Sequence, residues 1–226
     1  MTIAPAFEDA FGRALLDHHE GRAGDLLLLE SDDGSVRPAD MQPAGFFAPQ
    51  PTWPSWEQHV VGYAEGAILD LGAGAGRHSL YLQDLGHEVS AMDSSPGAVA
   101  VCRSRGIRDV RLADLRRLGG RRRWDTLLLM CGNLGLAGDR TPTRRLLTRL
   151  AAMTTPGGLL IGDSVDPVSD DPHVRLRLHY GALASPWWDQ INIPPSEIEV
   201  LVEGTGWRLE ERVGDDDGYA VVLRRR

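Results

Sequence analysis

The stretch Ala67-Ile-Leu-Asp-Leu-Gly-Ala-Gly-Ala-Gly-Arg-His78 limits most tightly what this chain can fold into. It reads as a buried strand, a glycine turn and the start of a helix. Glycines at 72, 74 and 76 tolerate positive φ and let a ligand approach the backbone closely. A second strand-like run, 88–92, ends at Asp93. An acid at that strand tip is placed to accept hydrogen bonds from ribose hydroxyls. A chain arranged in this way is built to hold a nucleoside cofactor. Asp93 is also positioned to cap the helix that begins at Ser94-Ser-Pro96, a role compatible with ribose binding.

The pattern repeats downstream. Strand 67–71 leads to helix 76–86, strand 88–92 to helix 96–105, and strand 109–112 to a basic loop. Strand 124–130 leads to loop 131–139 and helix 142–153, and strand 158–162 ends at Asp163. Continuous apolar runs such as Thr126-Leu-Leu-Leu-Met130 mark strands covered on both faces. Alternating strands and helices imply a parallel, doubly wound sheet. Right-handed crossovers then put the ligand at the strands' C-terminal ends, where Asp70, Asp93, Asp114, Cys131 and Asp163 fall.

The two ends of the chain differ in style. Residues 6–20 space Phe7, Phe11, Ala14 and Leu15 as a helix does. Residues 25–30 read as a strand, 31–35 as a turn, and Val36-Arg37 as the start of a return strand. A proline-rich loop, 38–54, carries Phe46, Phe47 and Trp53 as anchors, and Ser55 is expected to cap a short helix through Tyr63. Residues 174–180 alternate apolar and polar, with 187–191 as their partner across the turn 181–186. A helix over 195–204 follows, then a hairpin of 207–213 with 219–223.

The glycine spacing separates two kinds of cofactor. Dinucleotide sites carry G-x-G-x-x-G, whereas this chain has G-x-G-x-G with Asp70 two residues ahead. A carboxylate there repels a pyrophosphate and attracts a ligand bearing an ammonium and a sulfonium, which argues against a nicotinamide-dependent oxidoreductase. The pattern D-x-G-x-G-x-G resembles motif I of the class I S-adenosylmethionine-dependent methyltransferases. Asp93 matches that family's ribose acid, and Asp114-Leu115 its adenine-binding position. The resemblance covers 55–163 well and the C-terminal strands more loosely. It implies an α/β fold: a doubly wound, Rossmann-like seven-stranded sheet with a C-terminal antiparallel hairpin. To this are added an N-terminal helical and loop cap and an extra hairpin near 174–191. The chain reads as a single methyltransferase domain over 1–226, with a cap segment 1–63, a cofactor-binding core 64–163 and an acceptor-side portion 164–226. The residues implied around S-adenosyl-L-methionine are Asp70, Gly72, Ala73, Gly74, Gly76, Arg77, His78, Asp93, Ser94, Asp114, Leu115, Cys131, Gly132 and Asn133.

Composition narrows the acceptor. The net charge is −8, and all 24 basic residues are arginine. Such a balance disfavours a nucleic-acid backbone as partner, although arginines cluster at 116, 117 and 121–123 and again at 140, 144, 145 and 149. No run of 18 apolar residues marks a membrane span, and the N-terminus lacks a signal-peptide pattern. Two cysteines, Cys102 and Cys131, fit a reducing cytoplasm. The expected function is methyl transfer by in-line displacement to a small-molecule acceptor, such as a natural product or its precursor. The alternatives are a tRNA- or peptide-directed methyltransferase, or a non-catalytic protein that binds S-adenosylmethionine. His179, or else His173, is the expected base, because an unperturbed histidine titrates near ~6.5. Tyr180, Trp188, Trp53 and Tyr63 are the expected apolar walls of the acceptor pocket. No metal is expected, since the loop after the fourth core strand lacks a carboxylate and Asp163 stands alone. Oligomeric state is not legible.

Overall fold

A computed structural model of the chain describes residues 9–226 apart from 121, 166–171 and 216–217. Phe7 and Arg121 therefore lie outside the described residues.

Helix α1 (Ala10–His19) comes first, then strands β1 (Leu27–Ser31) and β2 (Val36–Pro38). Two 3-10 turns, Pro43–Phe47 and Gln50–Thr52, lead to α2 (Ser55–Val61). The core follows as β3 (Ala67–Leu71), α3 (Arg77–Asp84), β4 (Glu88–Asp93), α4 (Pro96–Ser104) and β5 (Asp109–Leu112). It continues with β6 (Trp124–Leu129), α5 (Arg140–Ala152) and β7 (Thr154–Ser164). The last elements are β8 (His173–Tyr180), β9 (Leu183–Ala184), β10 (Trp188–Ile191), α6 (Ile198–Val202), β11 (Trp207–Asp215) and β12 (Gly218–Arg225).

Seven strands form one sheet in the order β11-β12-β7-β6-β3-β4-β5. The five from β7 to β5 are parallel, and β12 and β11 add an antiparallel edge. Side chains alternate across the sheet, so each strand feeds two cores. Ile68, Leu128 and Ile161 pack with Trp56, Val60 and Leu82 of α2 and α3. Leu69, Leu127 and Leu160 pack with Leu146, Leu147 and Leu150 of α5 on the other side. Trp207 is fully buried, and its indole N–H donates to Leu147 O (2.8 Å), joining β11 to α5. The sheet and its C-terminal hairpin are those expected.

Sequence reading assigns no pairing between the N-terminal hairpin and the hairpin near 174–191. The structure joins them: β1 pairs antiparallel with β8, Leu27 opposite Tyr180 and Glu30 opposite Arg177, to give a second sheet, β10-β8-β1-β2. Leu27 and Tyr180 pack with Ala10 and Ala14 of α1, with Leu178 alongside. Burying that stripe is what brings together strands far apart in sequence. Trp187 falls outside β10 and lies under the Arg177 guanidinium, 4.6 Å from its ring centroid. Ser55 does not cap α2; Pro54 holds that position and Ser55 is the first helical residue. Among the described residues no helix is long and apolar enough to cross a membrane.

Candidate active site

The C-terminal ends of β3, β4 and β6 form a rim. At β3, Gly72 and Ala73 donate their N–H groups to Met92 O (2.8 and 3.0 Å), folding the glycine loop against β4. Gly72, Gly74 and Gly76 all have positive φ. A side chain on Gly72 would collide with the Asn133 amide, and one on Gly76 with Ile107. Asp93 accepts Gly74 N–H at Oδ2 and Ser95 N–H at Oδ1, both at 2.8 Å. Burial pushes its carboxyl up to about 6, against the pull of those two N–H groups. Ser95, not Asp93, caps α4, accepting Ala98 N–H at 3.0 Å; Ser94 is exposed on the rim. Asp70 is 1% exposed and accepts a bond from Ser79 Oγ (2.6 Å), and burial raises its pKa. Asp114 caps the 3-10 turn Leu115–Arg117 and is paired with Arg116 at 3.1 Å. Leu115 is buried beneath that turn.

The loop after β6 has two sides. Asn133 Nδ2 donates to Leu71 O (3.0 Å) and Gly72 O (3.3 Å), on the glycine-loop side. Gly132 N–H donates to Asp163 Oδ1 (2.8 Å), on the β7 side. Between them Cys131 takes φ 64°, a conformation rare for a residue with a Cβ and common at functional turns. Its side chain reaches solvent at the rim, yet the protein packed around it and the Asp163 carboxyl push the thiol up to about 12, so it stays protonated.

A buried ion cluster stands over this loop. Glu57 Oε1 accepts from Arg77 (2.5 Å) and lies 2.6 Å from His78 Nε2. Arg77 also donates to Gly45 O (3.1 Å), reaches Cys131 Sγ at 3.8 Å, and stacks over Trp53 at 5.2 Å. The His78 and Trp53 rings meet edge to face at 4.7 Å. Trp53 is buried, and its indole N–H is taken by Ala48 O (2.9 Å). Arg77 Nε is buried with no acceptor. Sequence reading singled out Arg77, His78 and Trp53 but missed Glu57. Its only signal was a charge beside Trp56, Val60 and Val61, on the face of α2 that is buried.

Several expected acceptor residues lie elsewhere. On β8, Leu176, Leu178 and Tyr180 share one face, and His173, Arg175, Arg177 and His179 share the other. The register puts Trp188 opposite Leu176 and Gln190 opposite Val174, on the first face. That face meets the rim, because a Cβ on Gly132 would sit 3.5 Å from Gln190 Nε2. Trp188 Nε1 donates to Gln190 Oε1 (3.2 Å). His179 is on the far face, 2.5 Å from Glu30, which also holds Arg177 at 2.6 Å. His173 lies 3.3 Å from Asp139. The alternation of the strand thus turns His179 away from the rim, while His173 stays beside Asp139 of the loop after β6. Tyr180 points under α1, its hydroxyl donating to Asp17 (3.1 Å). Tyr63 sits at the opposite end of the sheet, against His59, just before Glu65 N–H bonds Thr126 at the start of β6. Gln190 lies at the rim, and Trp188 is tied to it through the bond to Gln190 Oε1. Among the described residues, no cluster of three or more His, Cys, Asp or Glu could hold a metal ion.

Residues 68–158 match the family described as Methyltransferase domain. No curated protein matches the chain. Among solved structures, an S-adenosylmethionine-dependent methyltransferase from Bacteroides fragilis, in complex with S-adenosyl-L-homocysteine, is 25% identical. It superposes with a TM-score of 0.87, over 100% of this chain and 97% of that one. The CcbJ methyltransferase from Streptomyces caelestis (17% identity, TM-score 0.60, 80% and 97% covered) shares the fold. So does the sugar N-methyltransferase KedS8 from Streptoalloteichus (19%, 0.61, 80% and 88%).

Proposed function

We propose that this chain is a class I S-adenosylmethionine-dependent methyltransferase whose methyl acceptor is a small molecule enclosed between the rim and the second sheet. S-adenosylmethionine is the cofactor, and the rim suits its chemistry. The glycine loop leaves no side chains between ligand and backbone. The carboxyls of Asp70 and Asp93 lie where a sulfonium and an ammonium gain from them, and a pyrophosphate would not. Arg77 Nε, buried without an acceptor, is a donor for the cofactor's own carboxylate. We assign Asp93 to the ribose, Asp114 and Leu115 to the adenine, and Gly72, Gly74 and Asn133 to the amino-acid portion.

When bound, the cofactor supplies a methyl group already activated for displacement. What remains for the chain is alignment and exclusion of water, and positioning of this kind is worth ~7–11 kcal/mol. The observation that carries the small-molecule reading is the second sheet itself. It is built from both added segments and lays Gln190, which accepts a bond from Trp188, against Gly132. An acceptor must fit beneath it. Two of the clustered arginines are engaged in the fold: Arg144 donates to Val200 O and Leu201 O, and Arg149 to Arg116 O. The test is incubation with methyl-labelled S-adenosylmethionine and a metabolite extract, an RNA pool and a protein pool in parallel. Label is expected in low-mass products; label confined to RNA or protein would overturn the reading.

A further inference from the structure

The rim holds more carboxyl groups than cofactor recognition accounts for, and they differ in their partners. Glu57 is matched by Arg77 and His78. Asp70 is held by Ser79, and Asp93 by two backbone N–H groups beside the glycine loop. Asp163 has no cation beside it among the described residues. It ends β7 and is fixed by Gly132 N–H at 2.8 Å.

Its place is informative. The loop 131–133 turns Asn133 toward the glycine loop and Gly132 toward Asp163. Asp163 is thus separated from the glycine loop by the end of β6. On its own side lie the segments that build the second sheet. Ile193 N–H donates to Ser164 Oγ (3.0 Å), and Gln190 lies against Gly132. The carboxyl therefore belongs to the acceptor side of the loop.

We propose that the acceptor is an amine, bound as its ammonium ion between the Asp163 carboxylate and the Gln190–Trp188 wall, and that Asp163 takes the proton that must leave before the nitrogen attacks. This rests on the small-molecule reading above. An ammonium has no lone pair, so it gives one proton to Asp163. The neutral nitrogen then forms the N–C bond as the C–S bond breaks, and the electron pair of that bond stays on sulfur as a thioether. The product is the methylated ammonium, and Asp163 returns its proton to solvent. The groups facing Asp163 are the Cys131 thiol and, across it, Glu57 with Arg77 and His78. Desolvation by burial, with Glu57 adding to it, raises the Asp163 carboxyl to about 7, against the pull of Gly132 N–H. A base poised there exchanges protons readily at neutral pH.

The experiment uses the full chain, labelled S-adenosylmethionine, and a panel of primary amines with the hydroxyl analogues of the same skeletons. Wild type is expected to methylate amines and not their alcohols. Asp163→Asn is expected to lower turnover of the responding amine at least ~100-fold. It should also remove the acid limb of the kcat/KM pH profile and leave S-adenosylmethionine and S-adenosylhomocysteine affinities within twofold, which also shows that the variant folds. Gln190→Ala should raise KM more than it lowers kcat. Methylation of alcohols alone overturns the amine assignment and leaves the small-molecule reading standing. Methylation of neither class, with cofactor bound, overturns both. Loss of S-adenosylmethionine affinity with S-adenosylhomocysteine affinity kept would show that Asp163 serves the sulfonium instead, and unchanged turnover in Asp163→Asn would exclude it as base.

Discussion

Asp93 shows how one side chain carries two duties. Its oxygens lock the glycine loop and the start of α4 through Gly74 and Ser95, and the same carboxyl is the acid we assign to the ribose. Hydrogen bonds to charged groups are worth about 1.5–3 kcal/mol each. Asp93→Ala is therefore expected to weaken S-adenosylhomocysteine binding at least ~10-fold while the fold persists, as calorimetry and circular dichroism would show. An unchanged dissociation constant would reduce Asp93 to a clamp on Gly74 and Ser95. Glu57 is a different case. It is 2% exposed and shares one oxygen between Arg77 and His78. Removing one partner of a buried pair strands the other, typically at about 3–5 kcal/mol. Glu57→Ala is expected to destabilise by that order in urea unfolding; a change under 1 kcal/mol would show that Arg77 finds another partner.

At the scale of elements, the contact of α1 with α4 ties the cap to the cofactor side. Asp9 caps α1 by accepting Gly12 N–H (2.9 Å), and its other oxygen accepts Gly97 N–H (2.9 Å) and Ser95 Oγ (2.9 Å) at the start of α4. The helices touch glycine to glycine, so a Cβ on Gly97 would lie about 2.5 Å from the Gly12 backbone. Gly97→Ala is expected to cost about 1–3 kcal/mol, as overpacking does. It should lower Tm by several degrees and also weaken cofactor binding, because Ser95 adjoins Asp93. An unshifted Tm would mean that α1 is displaced freely. None of this was legible from helical spacing, which placed Phe11, Ala14 and Leu15 on one face but said nothing of the helix they meet. Sheet pairing was hidden in the same way: the alternation over 174–180 announced a strand, yet its partner β1 lies some 150 residues earlier.

For the whole molecule, pH is the informative variable. Asp163 and Asp93 have folded-state pKa values of about 7 and about 6, above the ordinary 3.8. Between pH 4 and these values the unfolded chain has released protons that the folded chain keeps. Their stabilising contribution is therefore full below about pH 4 and is lost as pH rises through 6 and 7. Asparagine at 163 escapes that loss. Asp163→Asn should match wild type in Tm near pH 4 and exceed it by on the order of 5 °C at pH 8, at ~2–4 °C per kcal/mol. A gap that is largest in acid would contradict the assigned shift. The comparison is made without cofactor, so that ligand binding adds nothing to Tm.

The parallel core and its glycine rim were determined by the sequence alone. Their information is local: apolar runs the length of a strand, glycines where only positive φ will serve, an acid at each strand tip. Alternation along 174–180 likewise determined that His173 and His179 share a face. Which face turns to the rim was decided only by tertiary structure. A strand with period two is equally consistent with either side being inward until its partners are known. The burial of Leu27, Leu178 and Tyr180 on α1 settled that choice, turned His179 to the opposite face, and left Asp163 and Gln190 beside Gly132. Glu57 belongs to the same class of fact. A carboxylate on a short helix is ordinarily solvated, and only the arrival of Arg77 and His78 from α3 makes its burial tolerable.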